Sequence, residues 1–222
     1  MSLDHDRRTA HRKGLTLVEV LAIVVVVFIL VVALAPIILS PDTPKSSALK
    51  EKGRGIWVGV ISANAEREPL GKTSVWPKVQ GFDRSKTSTE YFRFLMSDAN
   101  GCLTTNMYQQ IASDLSSHVL GGSGVPVALS PLQFTKTNNA WSVVCVGDDT
   151  PPESPFLITR NVDVGARANH TTVPKLTNIL PFKKERAVWV TCGGACLDAR
   201  PRYLTAERLF PATNETYDVM YP

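Results

Sequence analysis

The sequence predicts an α+β chain in which one long N-terminal helix, membrane-spanning over its first half, packs on a small antiparallel β-sheet head. Three observations predict it. An uncharged apolar run extends from Val20 to Leu39, apolar residues recur at near-helical spacing between Lys45 and Arg67, and short β-branched and aromatic runs alternate with turn residues after Ala140.

The apolar run, VLAIVVVVFILVVALAPIIL, is twenty residues without a charge. As an α-helix it would extend roughly 30 Å, the thickness of a bilayer's hydrocarbon core. Valine is a middling helix former in water, but in lipid every backbone N–H and C=O must be satisfied within the segment, which forces a helix. Pro36, near the far end, removes one hydrogen bond and kinks the last turns. Arg7, Arg8, Arg12 and Lys13 precede the run against Asp4 and Asp6. This asymmetry predicts a cytoplasmic N-terminus, with the residues after about Ser40 outside. A cleaved secretory signal is the competing reading, but the run is too long for one, and its only small-x-small site, Ala33-Leu34-Ala35, is followed at once by Pro36.

The net charge is +4 in 222 residues, and the first fourteen residues contribute a surplus of two. The balance implies no large basic face, so neutralisation of nucleic-acid phosphates gains no support.

Glu19 abuts the apolar run. One reading leaves this acid at headgroup depth. The sharper one starts from desolvation: a carboxylate drawn into lipid is costly unless paired, so it marks a site and calls for a cation, which a free amino group at Leu15 would supply. Arg12-Lys13-Gly14-Leu15-Thr16-Leu17-Val18-Glu19, joined directly to the apolar run, resembles the N-terminal signature of type IV pilins and of the pseudopilins of type II secretion systems. The match covers about residues 12–40, and Leu15 stands where phenylalanine is more usual. The resemblance implies that a prepilin peptidase cuts between Gly14 and Leu15, that the new N-terminus is methylated, and that Glu19 pairs with the Leu15 amine of an adjacent subunit. It also implies a division into a removed leader (1–14), a transmembrane and assembly helix (15–40), an amphipathic continuation of the stalk (41–67) and an extracytoplasmic α+β head (68–222). The implied partners are copies of the chain, other pilins or pseudopilins, the peptidase, an inner-membrane assembly platform and, before assembly, membrane lipid.

Along the rest of the chain, Pro41 and Pro44 punctuate the apolar run. Leu49, Ile56, Val60 and Ala63 predict one buried stripe on a helix from Lys45 to about Arg67, weakened by Gly53, Gly55 and Gly59. A short helix is expected over Thr87–Asp98, capped by Ser88 or Thr89, and another over Met107–Val119. Ala140–Val146, Phe156–Arg160 and Ala187–Cys192 predict a sheet of three to four antiparallel strands.

Four cysteines, Cys102, Cys145, Cys192 and Cys196, lie on the outer side of this topology. A three-residue hairpin turn would set Cys192 across from Cys196, making that pair the candidate disulfide, ahead of free thiols or zinc; Cys102 with Cys145 is a second candidate. His118 and His170 sit in no nucleophile motif, and Gly121-Gly122-Ser123-Gly124 lacks the Lys-Ser/Thr of a phosphate loop. Asp148, Asp149 and Glu153 read as a solvated acidic turn more than a calcium site, and the four tryptophans as packing. No catalytic residue, metal ligand or cofactor is expected. The sequence therefore points to a structural filament subunit. The rival readings are a single-pass anchored extracytoplasmic binding domain and a minor pilin specialised for DNA or a surface.

Overall fold

The computed structural model describes Val18 and residues 20–28, 42–97, 110–112, 124–130, 132–212 and 214–222, with side chains from residue 46 onward in the first helix of the head. The chain divides into two compact units, Met1–Pro41 and Asp42–Pro222. In the first unit residues 20–28 are helical, and their side chains are solvent-exposed, from 47% at Val20 to 67% at Phe28.

The second unit is α+β. Helix α1 (Asp42–Arg67) is followed by a short 3-10 turn, helix α2 (Ser88–Leu95), strands β1 (Trp141–Val144), β2 (Pro155–Thr159), β3 (Val162–Asp163), β4 (Arg167–Ala168), β5 (Lys175–Leu176), β6 (Ala187–Thr191) and β7 (Cys196–Ala199), helix α3 (Ala206–Leu209) and strand β8 (Tyr217–Met220). Six strands form one sheet in the order β4-β8-β1-β2-β6-β7, every pair antiparallel, and β3 pairs with β5 separately.

This corrects the expected architecture in two respects. Among the described residues no helix is long and apolar enough to cross a membrane, so one continuous N-terminal helix with a spanning first half is not found. The 26-residue helix instead starts at Asp42, inside the head unit. Pro44, in the first turn of α1, removes only an N–H that has no intrahelical partner. The sheet is also larger than expected. It gains β4, β7 and β8, two to four residues each, too short for alternation to announce them.

The stripe on α1 packs as its spacing dictates. Ser46, Leu49, Ile56, Val60 and Ala63 are all buried, three, four or seven residues apart, on the helix that packs on β6 and β7. Gly53 completes the stripe between Leu49 and Ile56. A Cβ there would come within 2.7 Å of Val190 Cγ2 and 2.8 Å of the Trp141 ring, so the glycine that weakens the isolated helix lets it approach the sheet. On α2, Tyr91, Phe92 and Leu95 are buried, and the cap is Thr87 rather than Ser88 or Thr89. Thr87 Oγ1 accepts from Glu90 N–H at 3.1 Å, and the Glu90 carboxylate accepts from Thr87 N–H at 2.7 Å, a reciprocal capping box. Ser88 and Thr89 are left free to face Asn139 Nδ2 in the core, at 2.9 and 3.3 Å. Of the helix expected over Met107–Val119, only residues 110–112 are described; Ile111 is buried there.

Strand registers give the head two distinct ends. Trp141 pairs with Thr159 and Ala187 with Ala199, which places Lys136, Arg160, Arg186 and Arg200 together at one end. The start of α1 lies at this end, since Arg186 Nη1 donates to Ser46 Oγ. The Thr191–Cys196 hairpin and the Gly147–Ser154 loop occupy the other end, joined by Gly193 N–H to Pro152 O at 2.7 Å.

Candidate functional site

Gly14, Leu15 and Glu19, the expected processing and assembly residues, lie outside the described residues. Cys102 and His118 also fall outside them.

Cys192 and Cys196 lie at the junction between α1 and the β6–β7 hairpin, and both are free thiols. The register explains why they do not oppose each other. Val190 pairs with Cys196, and Thr191 N–H donates to Ala195 O at 2.9 Å, so the loop is Cys192-Gly193-Gly194 and not Gly193-Gly194-Ala195. A three-residue hairpin commonly puts its last loop residue in the left-handed region. Gly194, at φ 81°, fills that position without a Cβ penalty, whereas the expected register would have put Ala195 there. Sequence spacing alone identified a hairpin; the position of the left-handed residue shifts it by one.

This junction is closely packed. Trp57 Nε1 donates to Cys192 O at 2.7 Å, and a Cβ on Gly194 would lie 2.9 Å from the Trp57 ring. Beside it Asp198, on the helix-facing side of β7, accepts from Lys50 Nζ at 2.8 Å and from Arg186 Nη1. Burial works against the Asp198 carboxylate, but hydrogen bonds and charge from Lys50 and Arg186 outweigh it and hold the group below its ordinary value. A depression of about 590 Å³ is lined here by Lys50, Glu51, Arg54 and the hairpin tip. Of its charged residues, Lys50 is already paired with Asp198. Burial pushes the Cys192 thiol up to about 12 and raises Cys196 as well.

A second cleft of about 410 Å³ lies at the hairpin end, where Lys78 and Arg167 face Asp83, Glu215 and Asp218 around Cys145. Cys145 is a free thiol pushed up to about 12, first by burial and then by Asp218 and Asp83, so it is protonated and a poor nucleophile. The acidic turn is tied into the fold: Asp148 accepts from Ser74 Oγ at 2.9 Å, and Asp149 lies 3.7 Å from Lys78 Nζ. Among the described residues no group of three or more His, Cys, Asp or Glu side chains converges on a metal position. His170 sits in a surface turn. Trp76, Trp141 and Trp189 are buried, and Trp57 is partly so.

Sequence reasoning missed the Lys50–Asp198–Arg186 cluster, because its members are separated by 148 and 12 residues and no local spacing links them. Compared with known proteins, the chain matches no family, no curated protein and no solved structure.

Proposed function

We propose that this chain is a structural filament subunit of the type IV pilin or type II pseudopilin kind, made as a precursor, cut between Gly14 and Leu15, and polymerised through its N-terminal apolar run. The observation that carries the reading is the motif itself: a basic pair, Gly14, then Leu15-Thr16-Leu17-Val18-Glu19 fused to twenty apolar residues. The helical residues 20–28 support it, because they expose valine, isoleucine and phenylalanine that need cover from lipid or from other chains. In lipid such helices gain nothing hydrophobic from each other, but on extraction into a filament they bury one another in a shared core. Burial at about 1.5–3 kcal/mol per aliphatic side chain makes an extracted monomer unfavourable and an assembled one acceptable. Glu19, paired with a neighbour's Leu15 amine, sets the register, the best-attested use of a buried charge.

Before assembly the chain resides in the inner membrane, with its basic end cytoplasmic and its head outside. Its partners are other subunits, the peptidase and the assembly platform, and it performs no catalysis. The mass of the mature N-terminus tests this directly. A chain beginning at methylated Leu15 is expected. A chain that keeps Met1, and whose fate is unchanged in cells lacking the peptidase, overturns the reading in favour of an anchored binding domain.

A further inference from the structure

The end of the head where α1 begins gathers several unpaired positive charges. Lys136, Lys183, Lys184, Arg200 and Arg202 are exposed there, and none has an acidic partner among the described residues. The peptide segments that carry Lys136, Lys183 and Lys184 are held by side-chain to backbone hydrogen bonds, most of them part-buried. Arg160 donates to Leu180 O, Lys136 O and Asn139 O at 2.8–2.9 Å, and Asn161 Nδ2 donates to Lys183 O and Arg186 O at 2.7 Å. Glu185 is the one acid in that turn, and Asp198 is already engaged by Lys50 and Arg186.

The same end is apolar between the charges. A depression of about 530 Å³ is lined by Ile179, Leu180 and Pro222 together with Lys136 and Arg160. The loop before β1, held by Asn138 Nδ2 donating to Pro126 O, exposes Leu129 at 83% and Leu132 at 95%. Tyr203 is 56% exposed with the Arg202 guanidinium 5.9 Å from its ring centre. Exposed leucines, an interfacial tyrosine and unpaired lysines and arginines form the combination that suits a lipid headgroup layer: apolar tips enter the acyl boundary while cations stay with the phosphates.

We propose that this end of the head is a seat for an anionic phospholipid surface, holding the subunit upright on the membrane until it is extracted. The proposal rests on the reading of the apolar run as a membrane segment before assembly. It adds a specific surface, used by the monomer and vacated by the filament. Chain connectivity favours lipid over a soluble polyanion. Leu39 ends the apolar run three residues before Asp42, where α1 starts, so the chain passes from the apolar run into the head at this end. Each cation close to an anionic surface is worth about a fivefold preference, acting within a Debye length of about 10 Å.

Lysine footprinting of the full chain tests the seat. The chain is reconstituted in vesicles of phosphatidylcholine alone or with about one-third phosphatidylglycerol, and amine acetylation is read by mass spectrometry at each lysine. Lys72 and Lys78, exposed at the hairpin end, serve as the internal reference. The expected result is acetylation of Lys136, Lys183 and Lys184 slowed about fivefold or more relative to that reference in anionic vesicles, with no slowing in neutral ones and reversal in about 0.5 M salt. In K183E/K184E, Lys136 should lose its protection. Equal labelling in both vesicle types overturns the seat while leaving the filament reading intact. Equal protection in both types assigns the patch to contacts between copies and also overturns it. Protection by a DNA duplex as strong as that by anionic vesicles assigns the patch to nucleic acid instead. A chain that does not float with vesicles at all removes the membrane reading itself, and the seat with it.

Discussion

The Trp57 ring stands where a side chain at position 194 would be: a Cβ on Gly194 would meet three ring carbons at 2.9 Å. This contact locks the β6–β7 hairpin against α1, and the Trp57 indole N–H completes it by donating to Cys192 O. Gly194→Ala therefore adds both a left-handed backbone penalty and a clash. It should destabilise the head by about 2–4 kcal/mol, a fall in melting temperature of roughly 5–15 °C. Thermal unfolding followed at the tryptophan fluorescence checks it; an unchanged midpoint would show that the indole does not pack there.

Gly53 makes the opposite case to ordinary helix propensity. Alanine there should help an isolated helix by about 1 kcal/mol, yet in the head it would press on Val190 and Trp141. Gly53→Ala is expected to lower the stability of the head by about 1–3 kcal/mol, measured by urea unfolding, while raising the helicity of a peptide spanning Asp42–Arg67.

Asp198 has a folded pKa below its ordinary value of 3.8, so the stability it confers is present above that value and is lost as pH falls through the folded pKa. Asp198→Asn leaves Lys50 and Arg186 unneutralised, with side chains 28% and 11% exposed. It should cost about 1–3 kcal/mol near neutral pH. The gap between variant and parent should narrow steadily as the medium is acidified below pH ~4. A pH-independent gap would mean that the carboxylate's charge is not what holds the two cations.

Cys145 and Cys192, each pushed up to about 12 by burial, have almost no thiolate at pH 8. Native protein treated with iodoacetamide should keep both unmodified, and both should alkylate in urea. A Cys192–Cys196 bridge, detected as a linked peptide without reduction, would contradict the free thiols and the hairpin register described above.

Glu19→Ala should leave the chain in the membrane but outside filaments, because it removes the carboxylate that matches a neighbouring Leu15 amine. Membrane fractionation together with sheared-filament yield reads both properties. Normal filament yield from this variant would refute the pairing.

Features written in contiguous residues could be read before any fold was known. The Val20–Leu39 run declares its need for cover by composition alone. The stripe Leu49, Ile56, Val60 and Ala63 declares a buried helix face by its period, and β1, β2 and β6 stand out as β-branched and aromatic runs. Other features depend on which distant segments meet. Strand β8 inserts between β4 and β1, and Asp198 finds Lys50 across 148 residues. Neither leaves a local trace, because backbone pairing is open to any extended segment, and an ion pair needs only proximity in space. Gly53 and Gly194 show the boundary most clearly. In sequence they read as a helix weakener and part of a three-residue hairpin turn, and packing against Val190, Trp141 and Trp57 makes them places where no side chain fits.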